Sequence, residues 1–137
     1  MSMLSLDEAE RVIAAGVVRA AELSVPVNIA VLDAGANLKA FVRMDRALLG
    51  SIDIAMGKAR TSALFQMNSE ALFDFCKPGG TSFGLENSNG GLFVFAGGRP
   101  LVVGGGVVGA VGVSGGSVAQ DDAIAQTAAA ALSAAVV

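Results

Sequence analysis

The sequence predicts a mixed α/β domain, with helices packed on an antiparallel sheet of about five strands. Helix-period and strand-period segments follow one another as helix, β-hairpin, two helices, three-stranded meander and helix. Successive strands are joined by Gly- and Asn-rich turns too short for parallel crossovers, so neighbouring strands run antiparallel. A chain of 137 residues with no linker, charge run or low-complexity stretch reads as one domain spanning residues 1–137.

Each element has a local cause. Ser5 and Glu8 stand at capping-box spacing, followed by an apolar stripe of Leu6, Ala9, Ile13, Gly16, Val17 and Ala20 that runs out near Ser24, before Pro26. Val27–Leu32 is short and rich in β-branched residues, Asp33–Asn37 supplies turn chemistry, and Leu38–Met44 returns as the second strand. Ser51–Phe65 reads as the second helix, and Ser69 is placed to cap a short third one ending at Lys77-Pro78-Gly79-Gly80. A Gly-, Ser- and Asn-rich loop runs to Gly91, long enough to suggest a binding role. Leu92–Ala96 reads as a strand, Gly97–Pro100 as a turn, and Leu101–Val103 and Gly106–Val113 as two further strands. Ser117 and Gln120 form a second capping box, and Asp121 and Asp122 suit the positive end of an Ala-rich last helix.

Composition excludes several functions. Charged residues are 15% of the chain against a usual ~25%, and 53% is hydrophobic, which excludes intrinsic disorder. Nine Lys and Arg and a net charge of −3 argue against nucleic acid as a partner. With no His, the chain supplies no catalytic triad, no His-based metal site and no proximal histidine for haem. A single Cys, Cys76, permits no internal disulfide and points to the cytoplasm. Residues 1–8 lack the basic and apolar regions of a signal peptide. The uncharged run Pro100–Gln120 holds seven glycines and suits strands and turns better than a membrane span. Surplus apolar surface in so small a domain points to a homo-oligomer, and Ala129, Ala130, Ala131 and Ala134 permit close approach to a sheet or a second subunit.

Few residues offer chemistry. Gly104–Gly109 has dinucleotide-motif spacing, but strand formers follow where a helix is required, so it reads as a hairpin turn. Arg43, Met44 and Asp45 lie where the second strand turns toward the second helix. Lys58 and Thr61 share one side of that helix. An Arg and a Lys converging on one cleft suit a carboxylate or phosphate on a small ligand. Glu86, in the loop with Asn87, Ser88 and Asn89, is a conceivable general base. Cys76 reads as a buried thiol, and Met44, Met56 and Met67 as core filler or weak iron ligands.

Arg43-Met44-Asp45, Gly50-Ser51-Ile52, Lys58-Ala59-Arg60-Thr61, Gly97-Gly98-Arg99-Pro100-Leu101, Gly109–Gly116 and Gln120-Asp121, in that order, resemble the GlcG/HbpS-like family. That family includes the C-terminal domain of PduO-type corrinoid adenosyltransferases. The resemblance runs from about Leu4 to Leu132. It implies a profilin-like or roadblock-like sandwich, usually oligomeric, with a pocket at Arg43, Asp45, Lys58, Thr61 and the Glu86–Asn89 loop. Some members bind haem, and others serve glycolate, glycerol or diol catabolism. Haem in a chain without His or Tyr would be held by a Met, by Cys76 or by a Thr oxygen. The leading reading is therefore an oligomeric small-molecule binder, possible ligands being haem or a corrinoid, accessory to a catabolic pathway. The alternative is a cofactor-independent isomerase, lyase or hydratase. There Lys58, Asp45 and Glu86 are the catalytic groups, and Arg43, Thr61, Asn87 and Asn89 hold a small carbonyl or carboxylate compound. A structural or interaction module is the third reading.

Overall fold

A computed structural model describes residues 3–133. Helix α1 (Leu6–Glu22) starts in the expected capping box: Ser5 Oγ accepts from the Glu8 amide at 3.0 Å, and Glu8 Oε1 accepts from the Ser5 amide at 2.9 Å. The Ser5 amide bond holds the Glu8 carboxyl below its ordinary value. The buried stripe is Ala9, Val12, Gly16 and Ala20, so Val12 takes the core place expected of Ile13, and Leu6 stays exposed.

Strands β1 (Asn28–Asp33) and β2 (Leu38–Arg43) form the expected hairpin. Asp33 closes its turn by accepting from the amides of Gly35 and Asn37 at 2.9 Å each, the Asx geometry that makes Asp a turn residue. Strands β3 (Gly98–Val103) and β4 (Gly106–Ser114) form the second hairpin. Gly104 and Gly105 both take positive φ at its turn, as a two-residue hairpin requires. The sheet order is β2-β1-β4-β3, every neighbour antiparallel.

The sheet therefore has four strands, one fewer than expected. Leu92–Ala96 is irregular, because side chains satisfy its backbone in place of a ladder: Phe93 N donates to Thr61 Oγ1, and Phe95 O accepts from Ser69 Oγ. The expected turn at Gly97–Pro100 is also replaced, since β3 already begins at Gly98. Pro100 is tolerated there because β3 is an edge strand.

Alternation along β1 assigns the faces. Ile29 and Val31 join the larger core with α1 and α4 (Val118–Ser133), while Ala30 and Leu32 meet Ala55 and Ala59 of α2 (Gly50–Phe65). Small residues let α2 lie close against the sheet. A Cβ added to Gly112 of β4 would overlap the Ala55 carbonyl oxygen. Helix α4 opens with the second capping box, Ser117 N donating to Gln120 Oε1 (2.9 Å) and Gln120 N to Ser117 Oγ (3.1 Å). Arg99 of β3 grips Asp122 of α4 with two bonds of 3.0 and 2.9 Å. Among the described residues no helix is long and apolar enough to cross a membrane. The uncharged run Pro100–Gln120 is spent on β3, β4 and the start of α4.

Between α2 and β3 come a single 3-10 turn (Ser69–Leu72), the short helix α3 (Phe73–Cys76) and a loop with a second 3-10 turn at Leu85–Asn87. Ser69 caps neither. Fully buried, its hydroxyl accepts from Gly98 N at 2.9 Å and donates to Phe95 O at 2.7 Å, fastening the segment before β3.

Candidate functional site

Lys58 lies on the sheet-facing side of α2, among Ala55, Ala59 and Thr61, where the helix presses on β4 and β3. Its side chain is 1% exposed. The ammonium donates to Val113 O at 2.9 Å and to Asp121 Oδ2 at 3.1 Å, and sits 5.2 Å from the centre of the Phe95 ring. Gly97 makes room for it: a Cβ there would fall 2.7 Å from Lys58 Nζ. Asp121 Oδ1 in turn accepts from Gly116 N at 2.8 Å. Burial pushes the Lys58 ammonium below its ordinary value and the Asp121 carboxyl above its own, each against the pull of the partner charge. The group ties α2, β4 and α4 together. It offers no face to a substrate, so the acid–base role expected for Lys58 has no access to one.

Thr61, one turn further along, is fully buried as well. Its hydroxyl is used twice, donating to Gly57 O (3.0 Å) and accepting from Phe93 N (3.2 Å). It positions the Phe93 segment and, fully buried, presents no surface to a ligand.

Arg43 ends β2, opposite Asn28 in register. The chain then reverses, Ala47 N donating to Met44 O at 3.0 Å, with Arg46 in the left-handed region at φ 68°. A non-glycine residue there carries strain of order 1 kcal/mol. Arg43, Asp45 and Arg46 are exposed, and Met44 is half-buried against the larger core. Together they form one wall of an open cavity of about 650 Å³, whose other wall includes Val17 and Ala20 of α1. Among the described residues neither arginine forms an ion pair, so two guanidinium groups, a carboxylate and a thioether face an apolar helix flank. The single clamp expected from Arg43 and Lys58 is not assembled, because Arg43 faces this cavity while Lys58 is sealed against Asp121.

Glu86 makes a third locality. It is half-buried, and its Oε1 is buried without a hydrogen-bond partner among the described residues. It neighbours Cys76, whose thiol is pushed up by burial first and by the Glu86 charge second. Cys76 is itself buried and is not among the residues lining the Arg43 cavity. Asn87 and Asn89 are exposed on the same loop, and Asn89 contributes its carbonyl, accepting from Arg60 Nη1 at 2.6 Å. The pocket residues implied by the family resemblance thus fall in three separate places. Asp121, Phe95 and Arg46 were not legible as site residues: Asp121 has the signature of a helix-terminus acid, and Arg46 stands in a turn with no period to mark it.

Comparison with known proteins bears on the family and the fold. Residues 4–130 match the family model described as haem degrading protein HbpS-like. The 15.0 kDa protein of the dhaT-dhaS intergenic region of Citrobacter freundii is 37% identical over 129 residues, which is 93% of this chain and 91% of that protein. The corrinoid adenosyltransferase PduO of Citrobacter freundii is 40% identical over 130 residues, 94% of this chain but only 39% of that enzyme's length. Among solved structures, the Klebsiella pneumoniae protein ORFY superposes with a TM-score of 0.93 at 34% identity, covering 98% of this chain and 94% of the other. The PduOC:heme complex superposes with a TM-score of 0.90 at 39% identity, covering 95% of each chain. A family match over nearly the whole sequence, with the same fold in its relatives, makes this chain a member of the HbpS-like family.

Proposed function

We propose that this protein binds a tetrapyrrole, haem with its two propionates or an amide-bearing corrinoid, in the cavity beside Arg43, Met44 and Arg46, as an oligomer serving a catabolic pathway in the cytoplasm. The observation that carries this reading is the cavity itself. Its volume of about 650 Å³ lies within the range of ligand sites. Its apolar flank suits a macrocycle, and two unpaired guanidinium groups suit the carboxylates at its edge. Met44 supplies a soft thioether donor at the same wall, an axial ligand type open to a His-free chain. The complex of the relative PduOC with heme supports the same ligand class. A bound haem supplies a redox-active iron. The protein's part is to hold the macrocycle edge with Arg43 and Arg46 and to shield one face with Val17 and Ala21.

Haemin titration of the purified protein, followed by absorption, gives a saturable Soret shift under this reading. Met44→Ala changes the band and weakens binding about 10-fold or more, whereas Cys76→Ala leaves both as in the wild type. A flat or non-saturable response of the wild type to haemin and, in a parallel titration, to cobinamide overturns it.

Oligomerisation is supported by exposed apolar side chains such as Leu48, Leu49 and Phe83 and by exposed Ala130 between half-buried Ala129 and Ala131; Ala134 lies outside the described residues. If the alanine face of α4 is the contact, Ala130→Glu lowers the mass measured by light scattering, and an unchanged mass removes that face from the interface.

A further inference from the structure

Two charged side chains on α2 line a second cavity and have no charge partner among the described residues. This cavity, about 330 Å³, lies between α2, the β1–β2 hairpin and the Gly90-Gly91 segment, and shares no lining residue with the one beside Arg43. Asp53 and Arg60 stand two turns apart on one face of α2, about 10 Å along its axis. Helical side chains lean toward the N-terminus, which brings the long Arg60 side chain back toward Asp53. One edge of the Arg60 guanidinium is fixed on Asn89 O at 2.6 Å, and its other N–H groups make no hydrogen bond among the described residues. Asp53 makes neither a hydrogen bond nor an ion pair among the described residues.

The floor between the two charges is apolar, formed by Leu32, Met56 and Phe93. Gly57 closes it, since a Cβ there would overlap the Phe93 ring, which therefore lies directly on the helix. Gly90 and Gly91 take positive φ with open space beside both, leaving the wall as bare backbone.

We propose that this cavity binds a short aliphatic acid with a hydrogen-bond donor at its far end, its carboxylate on Arg60, its donor on Asp53 and its methylene chain over Met56 and Phe93. A guanidinium recognises a carboxylate through paired N–H bonds, an aspartate recognises an ammonium or hydroxyl, and the apolar floor sets the spacing between them. The site is independent of the tetrapyrrole reading.

The test is an amide NMR titration of the whole protein with 6-aminohexanoate, with hexanoate and hexylamine as ligands lacking one end. The expected result is saturable shifts at Gly57, Gly90 and Gly91, with each one-ended ligand about 10-fold weaker or worse. Arg60→Gln and Asp53→Asn each weaken 6-aminohexanoate by a similar factor. Arg60→Gln also loses the Asn89 bond, so Asp53→Asn, which breaks no contact of the fold, is the decisive variant. The proposal is overturned by the absence of saturable shifts, by shifts confined to Arg43–Arg46, or by unchanged affinity in Asp53→Asn. Haemin titration of the same sample separates failure here from failure at the Met44 cavity.

Discussion

Asp121→Asn destabilises the protein by about 3–5 kcal/mol at neutral pH, the usual consequence of stranding one charge of a buried pair. The substitution keeps an oxygen for the Gly116 amide but leaves the Lys58 ammonium, 1% exposed, with only Val113 O and the Phe95 ring. Lys58→Met costs a comparable amount by stranding the carboxylate. The double variant Lys58→Met/Asp121→Asn is less destabilised than the sum of the two, because no net charge then stays buried. Urea unfolding of the four proteins measures the coupling, and simple additivity would show that the pair contributes nothing as a pair.

The pH dependence of Asp121→Asn follows from the same burial. Burial already holds Lys58 below its ordinary value in the wild type, and Asp121 pulls against that shift. Without Asp121 the folded value falls further, while the unfolded chain keeps a lysine near 10.5. Between these two values the unfolded state binds the proton and the folded state does not, so stability rises with pH. Between the variant's folded value and the wild type's, Lys58 of the variant has released its proton while that of the wild type has not. The defect of Asp121→Asn is therefore largest below that interval and shrinks as pH rises through it, short of 10.5. A defect constant from pH 7 to 10 would show that the lost charge is not its cause.

Gly112→Ala is the second large effect, about 3 kcal/mol, at the upper end of what overpacking costs. The added Cβ overlaps the Ala55 carbonyl oxygen, and the obstacle is backbone, which has no rotamer to change. Helix α2 must then lift from β4, loosening Ala59 against Ala30 and the seat of Lys58. Gly50→Ala is the control. Nothing lies within 4 Å of its Cβ position at the start of α2, so its stability stays within about 0.5 kcal/mol of the wild type or rises slightly. Equal unfolding midpoints for Gly112→Ala and the wild type would mean that α2 is not held against the sheet as described.

The same crowding explains which parts of the fold were legible. Helices α1 and α4 and both hairpins carry local signals, namely capping boxes, an Asx turn and paired glycines, each acting within a few residues. Leu92–Ala96 has strand composition, yet its backbone is taken by the Thr61 and Ser69 side chains, 26 to 32 residues away in sequence, and no local pattern encodes that competition. Pro100 reads locally as a turn residue, and only its place on an edge strand makes a strand acceptable there.

For the site, the order of motifs was enough to identify the family, and composition alone removed histidine from every role. Residues near one another in the chain likewise set the helix caps, the turns and the alternation that gives the sheet two apolar faces. Tertiary structure decided where the charges go. Lys58 and Asp121 are 63 residues apart and meet only because α2 and α4 converge on the same end of β4, whereas Arg43, beyond β1, is left facing solvent. The pairing of a buried charge is set by whichever elements exclude water around it, a property of the packed layers that no segment of the chain carries alone.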